Sequence, residues 1–168
     1  MIPLLAIAAW SGTGKTTLLK KLIPLLNERG IRPGLIKHTH HDVDVDKPGK
    51  DSYELRKAGA DQTIVANKNR WALMTETPEQ EELDLHWLAS RMDSSSLHLI
   101  LVEGFKHEEI PKILLYRAGL THSVDELKID RNVIAISSDV PLPNVSLPVL
   151  DINSPIQIAD FIADWLKK

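Results

Sequence analysis

The chain has 168 residues, of which 43% are hydrophobic and 26% charged, with a net charge of −3. This balance is ordinary for a soluble globular protein, and the length suits a single α/β domain over residues 1–168 with a sizeable core. Cysteine is absent, which removes disulfides, thiolate metal sites and cysteine nucleophiles. There is no basic surplus for nucleic acid or an anionic membrane, and no apolar run reaches the ~20 residues of a membrane span.

The elements begin with an apolar run, Leu4 to Ala9, continuous in its hydrophobicity as a buried parallel strand is. It breaks into Ser11-Gly12-Thr13-Gly14-Lys15-Thr16-Thr17, and a helical pattern runs from Lys15 to about Arg29, stopped at Gly30. Strand, glycine turn and helix in that order make a phosphate-binding loop of the Walker A kind. Glycines let successive N–H groups point at anionic oxygens, and the helix N-terminus adds partial positive charge. Lys15 reaches the β- and γ-phosphates, and the Thr16 hydroxyl ligates Mg²⁺. Ala9 stands where the pattern G-x-x-x-x-G-K-[ST] has its first glycine. Pro24 lies inside the helix and is expected to kink or open it. A nucleotide-binding loop without the charged start of a signal peptide points to the cytoplasm.

Gly34 to Lys37 reads as a second strand. The polar loop that follows, His38 to Asp51, is long enough to carry function. Lys37, His38, Asp46 and Asp51 follow a strand that ends at the same sheet edge as the phosphate loop. Lys37 and His38 are therefore candidate cofactor contacts, and Asp46 a candidate for Mg²⁺ or for orienting a nucleophile. A competing reading gathers His38, His40, His41 and Asp42 into a zinc or nickel site.

A short helix is expected from Ser52 to Ala58. Gln62–Ala66 and Trp71–Thr75 read as a hairpin joined by Asn67-Lys68-Asn69-Arg70. That turn is compared with the guanine-reading Asn-Lys-x-Asp and rejected, because Arg70 replaces the carboxylate that accepts the guanine N1 and N2 hydrogens. Thr77-Pro78-Glu79-Gln80 has the form of a capping box and predicts a helix to about Met92, with Leu83, Trp87 and Leu88 inward. Leu97 to Val102 is a central strand ending in Glu103-Gly104, a Walker B-like acid that helps hold Mg²⁺. Strands at Lys112–Tyr116 and Val133–Ile136 follow. Ser138 to Pro148, with three prolines, is irregular. Asn153-Ser154-Pro155 starts a terminal helix with Ile156, Ala159, Phe161, Ile162, Trp165 and Leu166 facing the sheet. The whole predicts a P-loop NTPase-like α/β fold, a mostly parallel sheet flanked by helices, with a β-hairpin.

Several segments together resemble one family. They are the phosphate loop, Lys37-His38-Thr39-His40-His41, Asp46-Lys47-Pro48-Gly49-Lys50-Asp51-Ser52, Arg56-Lys57-Ala58-Gly59-Ala60 and Leu101-Val102-Glu103-Gly104-Phe105-Lys106. Such a chain is similar to the MobB family of molybdopterin-guanine dinucleotide biosynthesis. The resemblance implies a GTP-binding adaptor that uses GTP and Mg²⁺ and has at most weak GTPase activity. It implies a homodimer, the hairpin being the candidate dimer element because exposed sheet edges invite pairing. It also implies two partners, the guanylyltransferase that joins GMP to molybdopterin and a molybdenum-insertion protein. By it, Gly12 to Thr17 are phosphate contacts and Glu103 the Walker B acid. Two other functions stay open: a small-molecule kinase with a base from the Asp46–Asp51 region, and a metal-insertion GTPase using the three histidines.

Overall fold

The computed structural model describes residues 1–168. In chain order the elements are β1 (Leu4–Ala8), α1 (Lys15–Glu28), β2 (Pro33–Lys37), α2 (Asp51–Lys57), β3 (Gln62–Ala66), β4 (Trp71–Thr75), α3 (Leu85–Ser90), β5 (Leu99–Glu103), β6 (Lys112–Tyr116), β7 (Val133–Ser138), β8 (Val149–Asp151) and α4 (Pro155–Trp165). They form two compact units, one of residues 1–38 with 84–168 and one of residues 39–83.

The larger unit is built on a six-stranded sheet in the order β2-β5-β1-β6-β7-β8, and every neighbouring pair is parallel. Alternation along β1 divides the core. Leu5 and Ile7 point to the face covered by α1 and α4, where they join Leu22, Leu26, Ile158 and Ile162. Leu4 and Ala6 point to the other face, against Leu85 of α3 and Ile100 and Val102 of β5. Strands buried on both faces in this way read as unbroken apolar runs, as β1 and β5 do. The fold is the predicted P-loop NTPase-like α/β arrangement. The smaller unit carries α2 and the antiparallel hairpin β3–β4, whose register pairs Ile64 with Leu73 and Ala66 with Trp71.

Some expectations are corrected. No helix starts at Thr77. Residues 77–83 make turns, and α3 begins after Asp84, whose side chain accepts the Trp87 N–H. Leu83 and Trp87 are about two-fifths exposed, while Leu85 is fully buried and sets the helix's orientation. The capping box had the right chemistry, but Glu79 to Glu82 offer no apolar stripe to bury, so tertiary packing selected the later start. β8, directly after the proline-containing stretch, was not expected. In α4 the buried positions are Ile158, Ala159 and Ile162, whereas Ile156 is 57% exposed. α1 continues through Pro24, which lies on the helix's exposed side together with Lys20, whose carbonyl the missing N–H leaves to water.

Candidate functional site

The phosphate loop joins β1 to α1 at the carboxyl end of the sheet, where open α/β sheets place ligands. Gly12 and Gly14 adopt φ of 81° and 96°. Nothing lies within 4 Å of a Cβ built on either, so backbone conformation, not space, demands glycine there. Thr13 pins the curl from beneath, its hydroxyl and its N–H both donating to the Trp10 carbonyl at 2.8 and 3.3 Å. Gly14 is the N-cap of α1 and supplies no side-chain cap, and the first turn holds no acid. The leading N–H groups of a 14-residue helix therefore face the cleft without an internal carboxylate to satisfy them.

The opposite wall comes from β5 and β2, paired in register with Lys37 beside Glu103. The Glu103 side chain is only 8% exposed, and its oxygens lie 3.2 Å from Lys15 Nζ and 4.0 Å from Lys37 Nζ. The His38 N–H donates to the Glu103 carbonyl at 2.9 Å, and the His38 ring tilts over Phe105. Gly104 lets this junction close. Its φ is +90°, and a Cβ there would stand 2.7 Å from the His38 carbonyl oxygen.

The resulting cleft encloses about 390 Å³, within the range of small-ligand sites. It gathers most of the residues expected from sequence: Ser11, Gly12, Gly14, Lys15, Thr16 and Thr17 from the loop side, with Lys37, His38 and Glu103 opposite. Thr13 supports the loop from below. Ala9, Trp10 and Gly104 also line the cleft. The sequence marks Ala9 by its place in the phosphate-loop pattern, Trp10 as an aromatic beside the loop that could stack on a base or plug the sheet edge, and Gly104 as a glycine directly after a strand-end acid. No non-glycine residue has a positive φ, so Ala9 sits in ordinary backbone and its methyl packs against the main core. The glycine of the general pattern is not needed there.

The smaller unit has its own polar centre. Arg56, buried in α2, donates to Asp44 and Asp46 at 2.7 Å each and to Glu76 at 3.1 Å. A second Arg56 N–H reaches the other Asp46 oxygen at 3.4 Å. The hydrogen bonds from Arg56 hold the Asp46 carboxyl below its ordinary range, and the three acids raise the Arg56 pKa in turn. Asp46 thus faces a guanidinium with both oxygens. His41 is held through its N–H by the Thr39 hydroxyl. No group of three or more histidine, aspartate or glutamate side chains is gathered for a metal ion, so His40, His41 and Asp42 do not come together as the competing imidazole reading has them. No helix is long and apolar enough to cross a membrane.

The profile of a family described as molybdopterin guanine dinucleotide synthesis protein B, MobB, matches residues 4–139. A molybdopterin-guanine dinucleotide biosynthesis adapter protein of Escherichia coli (strain K12) is 73% identical over 168 residues, covering all of this chain and 95% of the relative. One of the same description from Haemophilus influenzae is 53% identical over 165 residues, covering 98% and 90%. Among solved structures, a molybdopterin-guanine biosynthesis protein B superposes with a TM-score of 0.78 at 26% identity, over 98% of this chain and 99% of that one. Bacillus subtilis MobB gives 0.75 at 25% identity, over 97% of each.

Proposed function

The chain belongs to the MobB family, and on that premise we propose that it is a GTP-binding adapter in molybdopterin-guanine dinucleotide biosynthesis. It holds GTP with Mg²⁺ in the cleft between the phosphate loop and Glu103, and it assists the guanylyltransferase that joins GMP to molybdopterin. The observation that carries this reading is the uncapped N-terminus of α1 beside Lys15, in a chain so similar to adapter proteins of that pathway.

The chemistry follows from charge. A triphosphate brings several negative charges into a cleft whose donors are the α1 N–H groups and the Lys15 and Lys37 ammonium groups. Glu103 alone would repel it. A hard divalent cation relieves that repulsion, and the Thr16 hydroxyl and Glu103 carboxylate are oxygen donors of the kind Mg²⁺ takes. When bound, the ion supplies charge neutralisation across the phosphates. Lys15 and Lys37, which lie beside Glu103, would meet the phosphate charge directly. The protein works in the cytoplasm as a homodimer through the hairpin, whose exposed apolar side chains support that reading, and a molybdenum-insertion protein is a further partner.

Equilibrium titration of labelled GTP and ATP in the presence of Mg²⁺ tests the proposal. GTP binds in preference to ATP, and Lys15→Ala abolishes binding with an unchanged circular dichroism spectrum. A preference for ATP, or GTP affinity retained in Lys15→Ala, overturns it. Capture of the guanylyltransferase by the wild type and not by Lys15→Ala connects the cleft to the adapter role.

A further inference from the structure

We propose that Asp139 is the residue that reads the guanine base, in a subsite formed where β6, β7 and β8 end beside the phosphate loop. The proposal rests on the reading that a nucleotide's phosphates occupy the cleft at Lys15.

The direction in which the nucleoside must leave that cleft follows from the sheet order. The terminal phosphates are drawn toward Lys37 and Glu103, which stand on β2 and β5, to one side of β1. The nucleoside end then extends to the other side of β1, over the carboxyl ends of β6, β7 and β8. Three polar residues from those ends meet there. Arg117 follows β6, Asp139 follows β7 and Asn153 follows β8. Arg117 Nη1 donates to Asn153 Oδ1 at 3.2 Å, and its Nε reaches the Thr13 carbonyl of the phosphate loop at 3.4 Å. The group is therefore tied directly to the loop that holds phosphate.

Asp139 has the acceptor geometry left over for a ligand. Its Oδ1 accepts one hydrogen bond, from the Ala118 N–H at 2.8 Å. Its Oδ2 lies 3.9 Å from Arg117 Nη1, beyond hydrogen-bond distance. A carboxylate accepts about four hydrogen bonds, so both oxygens keep capacity. The side chain is 21% exposed, reachable yet sheltered enough for a charged hydrogen bond to count. Guanine presents two adjacent donors, N1–H and the 2-amino group, matched to the two oxygens of one carboxylate. Adenine presents an acceptor at N1 and no 2-amino group, so the same carboxylate repels it. Asp139 supplies the carboxylate that Asn67-Lys68-Asn69-Arg70 lacks, and Arg117 is a positioning residue that braces it against the loop.

Asp139→Asn provides the test, because the change keeps the shape and alters the hydrogen-bond pattern. An amide accepts from N1–H and donates to a 2-oxo group, which is the edge of xanthine. Binding of GTP, XTP and ATP with Mg²⁺ is measured for the wild type and for Asp139→Asn. The variant loses GTP affinity by roughly 10- to 100-fold, gains XTP affinity by a similar factor and, with the repelling carboxylate gone, binds ATP no more weakly than the wild type. Asp139→Ala loses GTP without gaining XTP. If wild type binds no nucleotide, the phosphate reading itself fails. If wild type binds GTP and Asp139→Asn weakens GTP without gaining XTP, or changes neither, Asp139 is only a brace for the Ala118 turn and the proposal is overturned.

Discussion

At the level of single residues, two small side chains at the site answer different demands. Gly104 is required twice, by its φ of +90° and by the His38 carbonyl 2.7 Å from where a Cβ would stand. Gly104→Ala is therefore expected to cost about 2–3 kcal/mol of stability, read by urea denaturation. It should also weaken GTP binding, since the strain falls on the His38–Glu103 junction. Ala9 is the converse case. It occupies ordinary backbone and packs its methyl into the core. Ala9→Gly should leave GTP affinity unchanged and cost about 0.5–1 kcal/mol, although it restores the general phosphate-loop pattern. A gain in affinity would show that Ala9 detunes the loop. The loop itself was legible because its residues are consecutive, and each has a local physical reason to be there. Asp139 was not, because nothing beside it in the chain marks it. Only the sheet brings it to Arg117 and Asn153.

At the level of elements, local signals succeeded where burial agreed with them. β1 and β5 are unbroken apolar runs and fold as central strands. The Thr77 capping box is equally explicit, yet it lost to Leu85, because a cap contributes about 1 kcal/mol and burying a leucine contributes more. The loop after His38 was legible as chemistry and not as architecture. Its aspartates were read as metal or nucleophile-orienting groups, and the structure sets Asp44 and Asp46 on Arg56. That hub gives α2 a pH dependence. Asp46 is held below its ordinary value of 3.8 chiefly by Arg56 hydrogen bonds. A depressed carboxyl contributes stability that is complete above the unfolded value and is lost as pH falls through the folded one. Amide protection in α2, corrected for intrinsic exchange, should therefore hold from neutral pH to about pH 4 and decline below it. Arg56→Met leaves three carboxylates facing one another, so protection is already lost at neutral pH and improves on mild acidification. Protection unchanged in Arg56→Met would remove the hub from any role in ordering this unit.

At the level of the whole molecule, the hairpin sets the remaining question. Strand alternation and the register place Ile64, Ala66, Trp71 and Leu73 on one face of β3–β4. Ile64 is 65% and Trp71 68% exposed in a single chain. A two-stranded ribbon is marginal by itself in water, and an apolar face of this kind marks an interaction surface. Both ribbon edges also lack a strand partner in the chain, leaving backbone donors and acceptors for a second copy. The homodimer proposed above should then make the thermal midpoint rise with protein concentration, because association is coupled to folding. Light scattering after gel filtration should give twice the mass of the chain for wild type. Trp71→Glu with Ile64→Lys places charges on that face, where pairing would have to desolvate them, and should give the single-chain mass. The double variant should keep the wild-type far-ultraviolet spectrum and lose the concentration dependence of its midpoint. A wild type of single-chain mass at tens of micromolar, or a double variant that remains dimeric, would assign the apolar face to another partner.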